Sequence, residues 1–170
     1  MSPPREGSRT ETVHATCLVL GEHGVLIRGA SGAGKSTLAL HLLDIAERAD
    51  AHAALVGDDR VRLEARNGRL IAHSHPTVAG LVEIRGAGLH RTASLEAGVV
   101  RLVVDLVETA PRLPGRESDF CEVLGLTLPR LVLDRTLLGS GLAPRLVRDA
   151  LAVASQSHPP ALFRRDAGAP

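Results

Sequence analysis

Aromatic side chains are nearly missing from this sequence. Phe120 and Phe163 are the only two in 170 residues, and tryptophan and tyrosine are absent. A core must therefore be built from Leu, Val, Ala and Ile, and an aromatic stacking platform for single-stranded nucleic acid is excluded. Excess charge of one sign is missing too. The formal net charge is +1 and no basic block stands out, which removes the electrostatic case for nucleic-acid binding. With only Cys17 and Cys121, the disulfide framework of a small secreted domain is excluded, and both thiols are expected to be reduced. Residues 1–10 are polar and carry Pro3, Pro4 and Gly7, so they lack the apolar centre of a secretory signal. No apolar run reaches membrane-spanning length. These absences predict a cytoplasmic protein with neither a membrane nor a nucleic acid as partner.

What is present is a globular composition, 44% hydrophobic and 23% charged, of a length that suits one domain. Residues 1–10 read as a disordered start, 11–156 as a single domain and 157–170 as a flexible tail. The most informative stretch is Gly29-Ala30-Ser31-Gly32-Ala33-Gly34-Lys35-Ser36. It fits G-x-x-x-x-G-K-[ST], the phosphate-binding loop. Gly24–Arg28 before it reads as a buried strand, and Thr37–Leu43 after it as a helix, which is the context the motif needs. Glycines let backbone N–H groups turn toward phosphate oxygens, and the helix N-terminus adds partial positive charge. Lys35 can reach the β- and γ-phosphates of ATP, and the Ser36 hydroxyl can ligate Mg²⁺. Thr37 completes the nucleotide-binding set.

The rest of the chain alternates short strands with two longer helices. A strand from Glu11, with Val13, Ala15, Cys17 and Val19 on one face, leads through a turn at Gly21–Gly24 into the strand before the loop. The following helix runs to about Arg48, with Leu38, Leu42, Ile45 and Ala49 as its buried face. Ala53–Val56 is a short apolar strand ending in Gly57-Asp58-Asp59. Arg60–Ala65 alternates as a half-buried strand and returns through Asn67-Gly68 into Arg69–Ala72. Leu81–Gly88 reads as a strand or helix end running into a glycine-rich loop. Val99–Val107 is the most apolar segment and is expected at the sheet's centre. Residues 109–119 read as an exposed loop, followed by strands near Glu122–Leu124 and Leu131–Leu133. Ala143–Ser155 reads as the last helix, with Leu146, Ala150 and Val153 inward.

Several polar residues admit two readings each. Asp58 and Asp59 follow an apolar strand, where a phosphate-loop protein places an acid near Mg²⁺; a second carboxylate there could accept a proton from an attacking hydroxyl. The alternative is an Asp-rich turn. Glu83 and Arg85 flank Ile84 and share a face, either beside a nucleotide or as an exposed charged strand. His73 and His75 lack further ligands at zinc spacing and read as solvated surface residues. His14, alone, reads as a partly buried strand histidine.

Taken together, these residues resemble the catalytic domain of HPr kinase/phosphorylase. Three blocks carry the resemblance, in order: Val13-His14 followed by Gly29–Ser36, then Leu55–Val61, then Leu81–Leu89, which is similar to the family signature. The resemblance implies an α/β phosphate-loop core with a mixed sheet, like that of phosphoenolpyruvate carboxykinase. It implies phosphoryl transfer from ATP, or pyrophosphate in some members, to a serine of the phosphocarrier HPr. The reverse reaction, phosphorolysis of the phosphoserine, and a hexameric assembly are implied too. Residue by residue, Lys35 would bind the transferred phosphate, and Ser36 and Glu83 would ligate Mg²⁺. Asp58 would be the general base on the serine, and Asp59 would belong to the Mg²⁺ shell. His14 and Arg85 would be active-site residues, Arg85 within the segment linked to dephosphorylation.

The sequence departs from the family in two places. Only 13 residues precede His14, so the separate N-terminal domain of longer members is expected to be absent, as in the family's short members. Pro129–Arg135 does not reproduce the loop P-x-K-x-G-R-N that serves phosphorolysis; Arg130 or Arg135 are the candidates to replace its arginine. The kinase direction is thus better supported than the reverse. Two other functions remain open: a small-molecule kinase, which would need a lid near residues 109–119, and a non-catalytic nucleotide sensor, against which the retained Asp58-Asp59 pair speaks.

Overall fold

Strand-forming residues dominate the chain, and most of them assemble into one mixed sheet whose central strands are buried on both faces, with a hairpin at residues 81–91 forming a separate two-stranded sheet. The computed structural model describes residues 9–111 and 119–156. The strands are β1 (Arg9–Val13), β2 (Ala15–Leu20), β3 (His23–Gly29), β4 (Ala53–Gly57), β5 (Val61–Arg66), β6 (Arg69–His73), β7 (Leu81–Ile84), β8 (Gly88–Arg91), β9 (Ala97–Val107), β10 (Phe120–Val123) and β11 (Leu126–Asp134). The helices are α1 (Lys35–Arg48), α2 (Arg135–Gly139) and α3 (Ala143–Ala154). The expectations for residues 1–8, 112–118 and 157–170 lie outside the described residues.

The sheet runs β1-β5-β6-β9-β3-β2-β4, with β11 also on β9 and β10 on β11. β9 is its axis, as the apolar run Val99–Val107 predicts. It pairs in parallel with β3 and β11 and antiparallel with β6. β6 takes Ala97–Val100 and β11 takes Val103–Val107, so the sheet divides along one strand. Side chains alternate accordingly. Leu102, Val104 and Leu106 join Leu38, Leu42 and Val147 in a core under α1 and α3. Val103 points the other way, and a register shift that leaves Arg101 as an extra residue on β9 turns Val100 to the same side, into a second core closed by Val61, Leu63 and Leu70 on one side and Val123 and Leu128 on the other. This mixed sheet is the α/β architecture expected, and it differs from an all-parallel one because β2–β3 and β5–β6 are antiparallel hairpins. Asn67 and Gly68 both adopt positive φ in the second of these, as its sequence predicts.

Three expectations need correction. The strand expected from Glu11 is two strands, broken at His14. β1 pairs only with β5, while β2 lies between β3 and β4 and is buried on both faces. Ala49 is exposed as the C-cap of α1, and the buried face is Leu38, Ala39, Leu42, Leu43 and Ala46. On α3, Val147, Ala150 and Leu151 are buried, whereas Leu146 and Val153 are only half-buried. Of the two readings of Leu81–Gly88 the strand holds: β7 runs into a turn at Arg85–Ala87 and pairs antiparallel with β8. Helix α2 was not foreseen; Asp134 caps it by accepting from the Leu137 N–H at 2.9 Å.

Cys17 and Cys121 are both free thiols. Burial pushes the Cys17 thiol up to about 12.

One ion cluster ties the end of β3 to its neighbours. The Arg28 guanidinium grips Asp105 of β9 through two hydrogen bonds of 2.7 and 2.8 Å, and Arg130 of β11 adds a third at 2.6 Å. Burial alone would raise the Asp105 carboxyl, but the hydrogen bonds and charge of Arg28, then those of Arg130, hold it below its ordinary value. A depressed carboxylate contributes stability above its unfolded value of about 3.9, and that contribution is lost as pH falls through the lower folded value. Asp105→Asn leaves two guanidiniums with no countercharge and is expected to cost about 3 kcal/mol at neutral pH. Thermal melts between pH 7 and pH 3 check this: the variant should melt lower at pH 7, and the gap should narrow toward pH 3. An equal gap across the range would contradict the ion-cluster account.

Candidate functional site

The loop between β3 and α1 is shaped by its glycines. A Cβ on Gly29 would lie 3.0 Å from Leu106 of β9, so only glycine lets the loop leave the sheet there. Gly32 and Gly34 adopt φ of 77° and 101°, and Gly34 is the N-cap of α1. The Lys35 side chain is buried and folds back over the loop. Its Nζ donates to the carbonyls of Gly29 at 3.0 Å and Ala30 at 3.1 Å. Ala33 closes the turn by donating its N–H to the Ala30 carbonyl at 3.1 Å.

Asp58 is brought to this loop by a bulge. Leu18 pairs with Leu55 and Cys17 with Gly57, so Val56 is an extra residue on β4. The slip carries Asp58 across from Thr16 and turns it toward the α1 face. Its carboxylate then accepts from three elements at once. Ser36 Oγ of α1 lies 2.9 Å from Oδ1 and 3.0 Å from Oδ2. Thr16 Oγ1 of β2 donates to Oδ1 at 2.6 Å, and the Glu83 N–H of β7 lies 3.3 Å from Oδ2. Asp58 is buried, and Thr16 is fully buried. Sequence reasoning missed Thr16. The available signal was a hydroxyl inside the apolar run Ala15–Val19, and nothing in the sequence joins it to a residue 42 positions away.

Asp59 goes the other way. The Arg60 N–H donates to the Asp58 carbonyl at 2.8 Å while Asp59 sits at φ 68°, which makes Asp59 the centre of a γ-turn of the strained, positive-φ kind. Neighbouring acids on a regular strand would also point apart, but the turn lifts Asp59 out of the sheet altogether. Its side chain is 72% exposed, and its Oδ1 lies 2.9 Å from His14 Nε2. The same break that ends β1 at Val13 places His14 here. Two corners of the sheet, one between β1 and β2 and one between β4 and β5, thus meet at this pair.

The β7–β8 hairpin covers the other side. A Cβ on Gly32 would lie 3.4 Å from Arg85 Nη1, so the guanidinium rests against the loop. Together Ser31, Gly32, Gly34, Lys35, Ser36, Thr37, Asp58, Asp59, Glu83, Arg85 and His14 line an open cavity of about 230 Å³. The non-loop candidates His14, Asp58, Asp59, Glu83 and Arg85 are therefore in one place. Within the loop motif, Gly29, Ala30 and Ala33 shape the turn without lining the cavity.

Arg130 and Arg135 do not line it. Arg130 is held by Asp105, and Arg135 pairs with Glu108 at 3.3 Å. His73 pairs with Glu64 at 2.9 Å, and His75 Nδ1 lies 2.7 Å from the Thr77 hydroxyl. Among the described residues, no group of three or more His, Cys, Asp or Glu is placed to hold a metal ion, and no helix is long and apolar enough to cross a membrane. The donor set at the loop is one hydroxyl and carboxylates, all hard oxygen ligands. That set fits Mg²⁺, which takes one or two carboxylates and completes its shell with phosphate oxygens and water.

The strain at Asp59 has a measurable cost. Asp59→Gly removes the side chain that φ 68° disfavours. The variant is expected to melt no lower than the wild type, because relief of about 1 kcal/mol of backbone strain offsets loss of the exposed contact to His14. A clear fall in melting temperature would show that the turn is unstrained or the pair stabilising.

Comparison with known proteins gives a consistent set of relatives. The family described as HPr Serine kinase C-terminal domain matches residues 6–131. An HPr kinase/phosphorylase of Mycoplasma mycoides is 35% identical over 108 residues, 59% of this chain and 33% of that protein. One from Geobacillus kaustophilus is 35% identical over 136 residues, 73% of this chain and 42% of that protein. The chain thus spans less than half the length of these relatives. Among solved structures, the Hpr(Ser) kinase/phosphatase from Coxiella burnetii superposes with a TM-score of 0.68 at 30% identity, covering 81% of this chain and 94% of that one. The family match covers most of the chain, and the chain belongs to the HPr Serine kinase C-terminal domain family.

Proposed function

We propose that this chain transfers the γ-phosphoryl group of ATP, with Mg²⁺, to a serine hydroxyl of an HPr-type phosphocarrier protein. The observation that carries the reading is the convergence of Lys35, Ser36, Asp58, Asp59, Glu83, Arg85 and His14 on one cavity. The open mouth of that cavity suits a protein acceptor, whose serine must approach from outside.

The two acids divide the work by access. The resemblance gave the base to Asp58 and the Mg²⁺ shell to Asp59; we propose the exchange of these roles. Asp58 is buried and already accepts from Ser36, Thr16 and the Glu83 N–H. It is poorly placed to meet an incoming hydroxyl, and well placed, beside Ser36, to hold Mg²⁺ with Glu83. Asp59 is exposed at the mouth and steadied by His14. A general base must come within hydrogen-bond reach of the proton that it takes, and Asp59 can. Bound Mg²⁺ would neutralise charge on the β- and γ-phosphates.

Lys35 would leave the Gly29 and Ala30 carbonyls to bind the migrating phosphoryl oxygens, with the loop N–H groups around it. Arg85, resting on Gly32, is positioned to contact the same group. In the reverse direction inorganic phosphate would attack the phosphoserine phosphorus, and Asp59 would return the proton to the departing serine oxygen. Among the described residues, Arg130 is engaged by Asp105 and does not line the cavity, so it is not placed to serve that direction. A homo-oligomer, a hexamer by resemblance, belongs to this proposal as well.

The test is to mix the chain, ATP, Mg²⁺ and an HPr-type phosphocarrier, and to map phosphoserine by mass spectrometry. Modification of one serine is expected, with Lys35→Ala lowering the rate at least about 100-fold. Adding inorganic phosphate afterwards measures the reverse step. ATP binding without modification of the phosphocarrier, or label on a small metabolite instead, would overturn the proposal.

A further inference from the structure

We propose that Thr16 is a positioning residue that fixes the Asp58 carboxylate for Mg²⁺-dependent nucleotide binding. The inference rests on the reading above, in which Asp58 belongs to the Mg²⁺ site.

A carboxylate on a short side chain turns easily about its last torsion, which is broad and two-fold. Asp58 directly follows the bulged strand β4, so its backbone alone does not settle where its two oxygens point. Two hydroxyls, those of Ser36 and Thr16, do so in this structure, beside a longer contact of 3.3 Å from the Glu83 N–H to Oδ2. They differ in one respect. Ser36 lines the cavity, and its hydroxyl would be turned toward the ion on binding. Thr16 is fully buried in β2, does not line the cavity and has no competing ligand to meet. When Ser36 turns away, Thr16 is the hydroxyl that still holds Oδ1, at 2.6 Å, and leaves Oδ2 to face the site.

The strand geometry supports a dedicated role. Without the extra residue Val56, the Leu18–Leu55 register would set Gly57 across from Thr16 and leave its buried hydroxyl without an acceptor. The bulge and the threonine form one device: the bulge delivers the aspartate and the hydroxyl receives it. Threonine is suited to this place, because its methyl group fills the apolar surroundings while its β-branched side chain restricts χ1.

The experiment titrates Mg²⁺ against binding of a fluorescent ATP analogue, which needs no turnover and no acceptor protein. Thr16→Val keeps the shape and removes the donor. It is expected to raise the Mg²⁺ concentration for half-maximal binding about 10-fold or more, the usual effect of losing an outer hydrogen bond to a metal ligand. Thr16→Ala, run beside it, should give the same rise, and Thr16→Ser should restore the wild-type value. Melting curves identify any variant that is misfolded, and the remaining pair then decides. Wild-type Mg²⁺ dependence in a folded Thr16→Val or Thr16→Ala protein would overturn the inference. Asp58→Asn separates the two levels: if it shifts the titration and the threonine variants do not, Thr16 alone loses its role. If Asp58→Asn also leaves the titration unmoved, the Mg²⁺ assignment of Asp58 falls, and the Thr16 inference with it.

Discussion

A single carboxylate holds the site together. Asp58 accepts from the first turn of α1, from the middle of the sheet at β2 and from the covering hairpin at β7. Each donor belongs to a different part of the chain, and each has its own task elsewhere. The α1 donor follows the loop lysine, the β2 donor lies two residues after His14, and the β7 donor is the backbone of Glu83. Fixing Asp58 therefore fixes the distances among the loop, the sheet corner and the hairpin. Buried hydrogen bonds to a charged group are stronger than neutral ones, and a buried carboxylate left without them is costly. The arrangement is accordingly stiff where a triphosphate would be gripped.

Asp59 is built on the opposite plan. One residue along the chain, the backbone enters a strained turn and the side chain leaves the protein surface. Strain of this kind persists only where the surroundings enforce it, here the bulge before and the start of β5 after. The result is two adjacent acids with different access: one buried among the donors of Ser36, Thr16 and Glu83, the other exposed at the cavity mouth. Beneath both, the Arg28–Asp105–Arg130 cluster locks the end of β3, so the loop that follows starts from a rigid base.

Much of this was legible in the sequence because the signals were local. The loop motif and Asn67-Gly68 each specify their geometry within a few residues, and Val99–Val107 needs only its own apolarity to be central. The expected α/β core with a mixed sheet follows from such signals together with the family resemblance, which the match over residues 6–131 supports. What the sequence did not carry depends on register. The break at His14 reflects pairing with β5 rather than with β3, a choice made by residues about 50 positions away. The bulge at Val56 adds one residue that only the neighbouring Gly57 hints at, and it decides that Thr16 meets Asp58. Arg130, considered for the site, is claimed by Asp105, a pairing across the split sheet that no spacing rule reveals. Helix faces were misjudged where one helix packs against both the sheet and the other helix, which widens the buried stripe beyond a single row.

The division of labour between the two acids is the account's central claim, and one paired measurement tests it most directly. Asp58→Asn and Asp59→Asn would be compared side by side for Mg²⁺-dependent ATP binding and for single-turnover transfer to the phosphocarrier. The account predicts that Asp59→Asn binds Mg²⁺ and ATP as the wild type does but loses transfer by about 100-fold or more, as loss of a general base requires. It predicts that Asp58→Asn already fails at the binding step. The opposite pattern, intact binding in Asp58→Asn with transfer lost and impaired binding in Asp59→Asn, would contradict it.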